Sequence, residues 1–134
     1  MNDFPLKIVT PDGVSFDGTA QELIVRTASG DMGILAGHAN CVAPVGMGQA
    51  TVVCNGEKRY AACIGGMLTV LDGNVTLVST TFEWSEDIDL DRAEASKQRA
   101  EAVLHSDTAT KTDLMLAEAK LKRALVRTHV KHGL

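Results

Sequence analysis

The chain has 134 residues and a mass of 14.2 kDa, with 45% hydrophobic residues, 22% charged residues and a formal net charge of −4. This composition excludes a disordered or collagen-like chain, and the apolar runs are too short to span a membrane. The negative charge gives no general attraction to nucleic acid. No secretory signal is expected, and three cysteines fit neither a disulfide framework nor a zinc ribbon, so the cytosol is the expected compartment.

Glycine, proline and charge divide the sequence into two parts. Residues 1–82 contain 11 of the 12 glycines, all three prolines and 11 charged side chains, whereas residues 83–134 contain one glycine, no proline and 19 charged side chains. Glycine and proline mark turns, and a charged stretch without them favours helix. The sequence therefore predicts an all-β domain over residues 1–84 and an α-helical hairpin over residues 88–134.

In the first part, short β-rich runs alternate with turn signals and predict a β-sandwich or flattened barrel of about eight to ten strands. Asn55-Gly56 is a strong hairpin signal, because both central residues of a type I′ turn need a positive φ. The run from Val75 to Thr81 is partly apolar on both faces, which predicts a strand with little exposure on either. The turn signals are Asp12-Gly13, Ser29-Gly30, Gly46 to Gly48, Asn55-Gly56, Gly65-Gly66 and Asp72-Gly73.

In the second part, the pattern predicts two helices joined by a short loop, and therefore antiparallel neighbours. Asp89 is the expected N-cap of the first helix, which runs to about Leu104. Thr110 and Asp113 match a capping box that opens the second helix, which continues to about Val130. The expected seam consists of Ala93, Ser96, Ala100 and Val103 on the first helix and Leu114, Ala117, Leu121, Ala124 and Leu125 on the second.

Catalytic and metal-binding patterns are weak in this sequence. His38 and Cys41 suggest a thiol site or half of a metal site, but no second ligand pair follows at a suitable spacing. Cys54 and Cys63 lie in apolar strand runs, where a free cysteine behaves as a small hydrophobic residue. Neither a nucleophile elbow nor a phosphate-binding glycine loop is present. We therefore expect no catalytic residue, no metal and no enzymatic activity of the chain alone.

The segment from Gly30 to His38 has two interpretations. It contains three glycines around the apolar residues Met32, Ile34 and Leu35. From spacing alone, the favoured interpretation is a strand between two turns with its apolar side chains facing the core. The alternative is a docking edge, with Asp31 and His38 as its polar contacts.

The basic residues of the two helices also have two interpretations. Arg92 and Arg99 share one face of the first helix, and Arg123 and Arg127 share one face of the second, so a closed hairpin would bring them to one anion beside Asp89. The pattern alone favours a solvated charged face. No acidic residue follows Glu118. The basic residues after it either complement the helix dipole or suit an acidic partner; they are Lys120, Lys122, Arg123, Arg127 and Lys131.

Four motifs make the chain resemble the epsilon subunits of bacterial F-type ATP synthases over essentially its whole length. The resemblance implies a noncatalytic rotor subunit at the cytoplasmic face of the cell membrane, without a required cofactor and touching the membrane only through its complex. The motifs are Thr10-Pro11-Asp12-Gly13, the segment Gly30 to His38, the Gly65-Gly66 turn and Glu86-Asp87-Ile88-Asp89.

The resemblance also implies partners for each part of the chain. The sandwich would dock on the gamma subunit and the c-ring, with ring or gamma contacts at Asp31, Met32, Ile34, Leu35 and His38. The helical tail would switch between a compact hairpin and an extended form that restrains ATP hydrolysis. In the extended form Lys120, Lys122, Arg123, Arg127 and Lys131 would contact the catalytic alpha and beta subunits, where complementary charge sets the register.

Some members of this family bind ATP on the folded hairpin as a regulatory ligand, through Ile or Leu followed by Asp-x-x-Arg-Ala. Ile88-Asp89-Leu90-Asp91-Arg92-Ala93 fits that pattern. The resemblance adds Glu83, Arg99, Arg123 and Arg127 to this candidate ATP site. Two alternatives stay open: a free-standing nucleotide-sensing module that uses the same arginines, and a thiol or metal enzyme built on His38 and Cys41.

Overall fold

The computed structural model describes residues 2–133, and the chain divides into two compact units between Trp84 and Ser85. The first unit is an all-β domain and the second is a pair of helices, which confirms the predicted fold class. The strands are β1 (Phe4–Thr10), β2 (Gly13–Ala20), β3 (Glu22–Thr27), β4 (Gly30–Leu35), β5 (Cys41–Cys54), β6 (Glu57–Leu71) and β7 (Asn74–Trp84).

The seven strands form one sheet in the order β2-β1-β7-β6-β5-β3-β4. Only β1 and β7 pair in parallel, and every other neighbouring pair is antiparallel. The sheet curls back on itself, because β2 contacts β5 although three strands lie between them in the sheet order. Its concave face encloses a single apolar cluster whose fully buried members include Ile8, Leu23, Ile34, Leu68 and Leu77.

The strand number corrects the prediction, since the described residues form seven strands rather than eight to ten. Two of the turn signals, Gly46 to Gly48 and Gly65-Gly66, lie inside the long strands β5 and β6. The ladder between these strands skips one pair there, between Val45↔Gly66 and Met47↔Ile64. Glycines therefore mark an irregularity in two continuous strands and not two chain reversals.

Gly66 shows why a glycine is needed inside β6. A Cβ atom at this position would lie 2.3 Å from the carbonyl oxygen of Val78 and 2.9 Å from the Cα atom of Ser79. Its φ of +147° is also one that residues with side chains rarely adopt. The backbones of β6 and β7 thus approach each other so closely that no side chain fits between them.

The hairpin turns follow the sequence more directly. Asn55 has a φ of 54° and Gly56 a φ of 77°, as the predicted type I′ turn between β5 and β6 requires. The turn between β6 and β7 has the same character, with a φ of 49° at Asp72 and 84° at Gly73. Both turns join antiparallel strands in the registers expected of hairpins.

The second unit consists of a 3-10 turn (Ser85–Asp87), α1 (Leu90–Leu104) and α2 (Lys111–His132). The predicted caps are confirmed: the Asp89 carboxylate accepts the Arg92 N–H at 3.1 Å. Thr110 and Asp113 form the complete capping box, each side chain accepting the other's backbone N–H at 3.1 Å. Within residues 2–133, no helix combines the length and the apolar character needed to cross a membrane.

The two helices pack against each other, and alanine dominates their buried positions. Ala93 and Ala100 are buried on α1, and Ala117 and Ala124 are buried on α2. Leu125 was wrongly assigned to this seam, because its side chain is 43% exposed. It follows Ala124 by one residue, which turns it about 100° away from the buried line of the helix.

Candidate functional site

A cavity of about 650 Å³ lies in the helical unit, between α1, the loop that follows it and α2. Its lining carries four cationic side chains and one carboxylate. Since a compact group of cations with little compensating acid suits a multiply charged anion, the cavity is a candidate phosphate-binding site. The charged lining residues are Arg99, Lys120, Arg123, Arg127 and Asp113.

Three of the four arginines that were predicted to converge line this cavity, and they come from both helices. Arg99 extends from α1, and its Nη2 donates to the Ser96 hydroxyl at 3.2 Å. Arg123 and Arg127 lie one turn apart on α2, and Arg123 is exposed while Arg127 is half-buried. The Ser96 and Thr108 hydroxyls also line the cavity and add neutral hydrogen-bonding groups to the cationic ones.

The remaining residues of the predicted ATP site do not line this cavity. Ile88 and Ala93 are buried, the Asp89 carboxylate caps α1, and Arg92 is exposed in the first turn of that helix. Glu83 belongs to the other unit, on β7. The structure thus places Arg99, Arg123 and Arg127 around one cavity and the Ile88 to Ala93 motif at the start of α1.

A clasp of two hydrogen bonds, formed by Ser85, Val130 and Lys131, joins the start of the helical unit to its end. The Ser85 hydroxyl donates to the Val130 carbonyl at 3.4 Å, and Lys131 Nζ donates to the Ser85 carbonyl at 3.0 Å. The Val130 carbonyl lies in the last turn of α2 and also accepts the Gly133 backbone N–H at 3.2 Å. Ser85 therefore adds a second donor to this carbonyl, from 45 positions earlier in the chain.

The late basic residues of α2 divide into three groups in this conformation. Lys120, Arg123 and Arg127 line the cavity. Lys122 lies outside it and forms an exposed ion pair with Glu118 at 3.4 Å. Lys131 is held in the clasp.

The segment from Gly30 to His38 forms the edge strand β4 and the loop after it. The Asp31 side chain is exposed, and its Oδ1 atom lies 3.5 Å from Nη1 of Arg26 on β3. Leu35 is 58% exposed. Met32 is half-buried against the core, and Ile34 is completely buried. Ile34 is therefore corrected from a partner contact to a core residue, because the alternation of the strand turns its side chain inward.

His38 and Cys41 lie together but show no activated pair. The Cys41 Sγ atom is 4.0 Å from His38 Nδ1, and that nitrogen is also 2.8 Å from the Ala39 carbonyl oxygen, to which it can donate. Among residues 2–133 there is no group of three or more His, Cys, Asp or Glu side chains arranged to hold a metal ion. Burial raises the pKa of the Cys63 thiol, which therefore stays protonated beside Ser79.

An apolar row of side chains, which the sequence did not predict, crosses five neighbouring strands of the sandwich. Register aligns its members one after another from β5 to β2. Met67, Val78 and Val14 are 43%, 52% and 59% exposed. Since Val78 lies on β7, the prediction of little exposure on both faces of that strand was wrong. We call this feature the apolar row, and its members are Pro44, Met67, Val78, Val9 and Val14.

The apolar row has the composition of an interaction surface. Its five side chains lie on adjacent strands in consecutive register and include no charge. Isolated exposed apolar residues are common, but contiguous ones mark sites of interaction with another macromolecule. A signal for the row was present in the sequence as Val9, Met67 and Val78, but only the strand order shows that they are neighbours.

Comparisons with known proteins give both units the same assignment. Residues 3–85 match the β-sandwich domain of the ATP synthase delta/epsilon chain, and residues 86–131 match its long α-helix domain. The ATP synthase epsilon chain of Ruminococcus albus is 42% identical over 128 residues, which cover 95% of each chain. That of Bacillus pumilus is 38% identical over 130 residues, covering 97% of this chain and 98% of the relative.

Solved structures share the fold. A chain of the Euglena gracilis mitochondrial ATP synthase matches with a TM-score of 0.79 at 24% identity, over 90% of this chain and 76% of that chain. A central stalk/c-ring chain of the Tetrahymena thermophila enzyme matches with a TM-score of 0.67 at 13% identity, over 95% of both. Both domains of the delta/epsilon family are thus present in that order. The chain belongs to the ATP synthase delta/epsilon chain family, among the epsilon chains.

Proposed function

We propose that this chain is a noncatalytic central-stalk subunit of an F-type ATP synthase, which couples ion-driven rotation of the c-ring to ATP synthesis. The observation that carries the proposal is the apolar row on a domain that belongs to the epsilon chains. A free-standing domain has no need of such a row, whereas a rotor subunit must be fixed to its neighbours. Its site would be the cytoplasmic face of the membrane, which it reaches only through the complex.

The two docking surfaces of the sandwich are assigned to different partners. The apolar row supplies an uncharged surface for the gamma subunit. The exposed residues Asp31 and Leu35, which lie near opposite ends of β4, and His38 in the loop after this strand are assigned to the c-ring. Polar and apolar contacts in this arrangement provide both affinity and a fixed register, as a subunit that transmits torque requires.

The helical unit is assigned to regulation of ATP hydrolysis. In its compact form, three of its late basic residues surround the cavity and Lys131 holds the clasp. In an extended form, the same cations would contact acidic surfaces of the catalytic alpha and beta subunits and restrain hydrolysis. The compact and extended forms therefore use the same basic side chains of α2 for different contacts, so that each form excludes the other.

ATP is the ligand that we assign to the compact form. Arg99, Arg123 and Arg127 would bind its phosphates in the cavity, and the Asp89 and Arg92 end of the hairpin would receive the remainder of the nucleotide. A ligand that binds only the compact form shifts the population by its differential affinity for the two forms. High ATP would thus keep the helices folded and the enzyme free of this restraint.

Calorimetric titration of the whole chain with ATP tests the nucleotide site. We expect saturable binding, and we expect Arg123→Ala to weaken it by roughly tenfold to a hundredfold, since a hydrogen bond to a charged group contributes about 1.5–3 kcal/mol. Arg92→Ala tests the other end of the site. Lys122→Ala is the matched control, because Lys122 is also a cation of α2 but lies outside the cavity.

Two results would contradict this assignment. The absence of binding up to millimolar ATP would remove the nucleotide from the mechanism but leave the rotor assignment intact. Equal losses in Arg123→Ala and Lys122→Ala would show that general charge, and not the cavity, attracts the ligand. Tight ATP binding without any affinity for a gamma subunit would instead favour the free-standing nucleotide sensor.

A further inference from the structure

Two side chains link separate loops at one end of the sandwich. The Asp72 backbone N–H donates to Asn40 Oδ1 at 2.8 Å, and Asn40 Nδ2 donates to Asp72 Oδ1 at 3.4 Å. Asn40 ends the loop that connects β4 to β5, and Asp72 lies in the turn between β6 and β7. The pair therefore joins segments that are 32 positions apart in the chain.

The backbone of Asp72 gives this link a structural purpose. Asp72 has a φ of 49°, a left-handed conformation that residues other than glycine adopt infrequently. Asparagine and aspartate tolerate it best, but an N–H group in such a turn still needs an acceptor. Asn40 Oδ1 is that acceptor, so the loop holds the turn in its conformation while the turn fixes the end of the loop.

The joined segments carry exposed apolar side chains next to the link. Leu35, Val42 and Leu71 are 58%, 67% and 57% exposed and belong to the ends of β4, β5 and β6. His38 lies between the first two of them, and its backbone N–H donates to the Leu35 carbonyl at 3.2 Å. The β5–β6 ladder already pairs Cys41 with Val70, and the Asn40–Asp72 bonds extend this association to the loop after β4.

We propose that Asn40 and Asp72 are positioning residues that preorganise this end of the sandwich for docking on the c-ring. The inference rests on the proposed function, which assigns Leu35 and His38 to that partner, and it adds Val42 and Leu71 to the same surface. Asp31 lies at the other end of β4 and is not held by the pair. A loop that is already fixed before association loses less conformational entropy when it binds. The pair acts through the residues that it holds and does not itself contact the partner.

The amide and the carboxylate of this pair allow an exchange experiment. Asn40→Asp places two carboxylates against each other, and Asp72→Asn replaces the carboxylate with an amide. The double variant Asn40→Asp with Asp72→Asn restores one amide facing one carboxylate in the reverse order. We expect Asn40→Ala and Asn40→Asp to weaken binding of the whole chain to a purified complex of gamma subunit and c-ring by roughly tenfold, and the double variant to recover most of it.

Two further measurements separate positioning from stability. In Asn40→Ala, hydrogen exchange at the Asp72 amide should accelerate by about tenfold or more, while the amides of β1 and β7 keep their wild-type rates. Leu35→Ala serves as the contact control: it should weaken binding without changing exchange at Asp72. Wild-type binding by Asn40→Ala and by Asn40→Asp would overturn the inference. Failure of the wild-type chain to bind the complex would instead overturn the proposed function.

Discussion

Replacing Gly66 by alanine is expected to lower the free energy of unfolding of the sandwich by ~3 kcal/mol or more. The new Cβ atom would lie 2.3 Å from the Val78 carbonyl oxygen and 2.9 Å from Ser79 Cα. Both are backbone atoms of β7, which pairs with β6 on one side and β1 on the other. Since β7 cannot retreat without breaking one of these ladders, the collision cannot be relieved by a rotamer change.

Denaturant unfolding, followed by the fluorescence of the single tryptophan, measures this effect. Gly73→Ala is the matched control, because Gly73 also has a positive φ, of 84°, but nothing lies within 4 Å of its added Cβ atom. We expect that variant to lose only about 1 kcal/mol, from backbone strain. Equal losses for Gly66 and Gly73 would show that strain, and not the close approach of the two strands, explains the glycine in β6.

Val78→Asp is expected to weaken binding to the gamma subunit by roughly a hundredfold or more, because a carboxylate would be buried in an uncharged interface without a partner. Val78 lies at the centre of the apolar row, between Met67 on β6 and Val9 on β1. Its side chain is 52% exposed in the free chain, so the aspartate remains solvated there and the fold is retained. Titration of the whole chain against purified gamma subunit measures the loss.

A second apolar residue provides the control for this variant. Met115 on α2 is 64% exposed and lies outside the sandwich. Met115→Asp should leave affinity for the gamma subunit within about twofold, as surface substitutions away from an interface usually do. Wild-type affinity in Val78→Asp would show that the apolar row is not the surface that binds the gamma subunit.

Local sequence was sufficient to predict the turns and caps that depend on a few adjacent residues. Asn55-Gly56 needs only two adjacent residues to make its turn, and the caps at Asp89 and Thr110 need only three or four. Gly65-Gly66 was misinterpreted because a glycine in a turn and a glycine beneath a neighbouring strand have the same local signature. The close approach that distinguishes them comes from β7, about a dozen positions away.

The candidate sites depended on long-range geometry to different degrees. The helical period alone places Arg123 and Arg127 on one face, and helix pairing then brings Arg99 to them. The apolar row required the complete strand order, since Val14 and Pro44 are separated by three intervening strands. Ile34 was ambiguous because an apolar residue on an edge strand suits the core and a partner equally well until its exposure is known.

The clasp has a consequence for how variants of this chain are made. The Ser85 hydroxyl donates to the Val130 carbonyl, and Lys131 Nζ donates to the Ser85 carbonyl. The start of the helical unit and the last turn of α2 are therefore held by the same two hydrogen bonds. A truncation after residue 129 would remove both hydrogen bonds of the clasp as well as shorten the helix, and the local bond from the Ile88 N–H to the Ser85 carbonyl would remain.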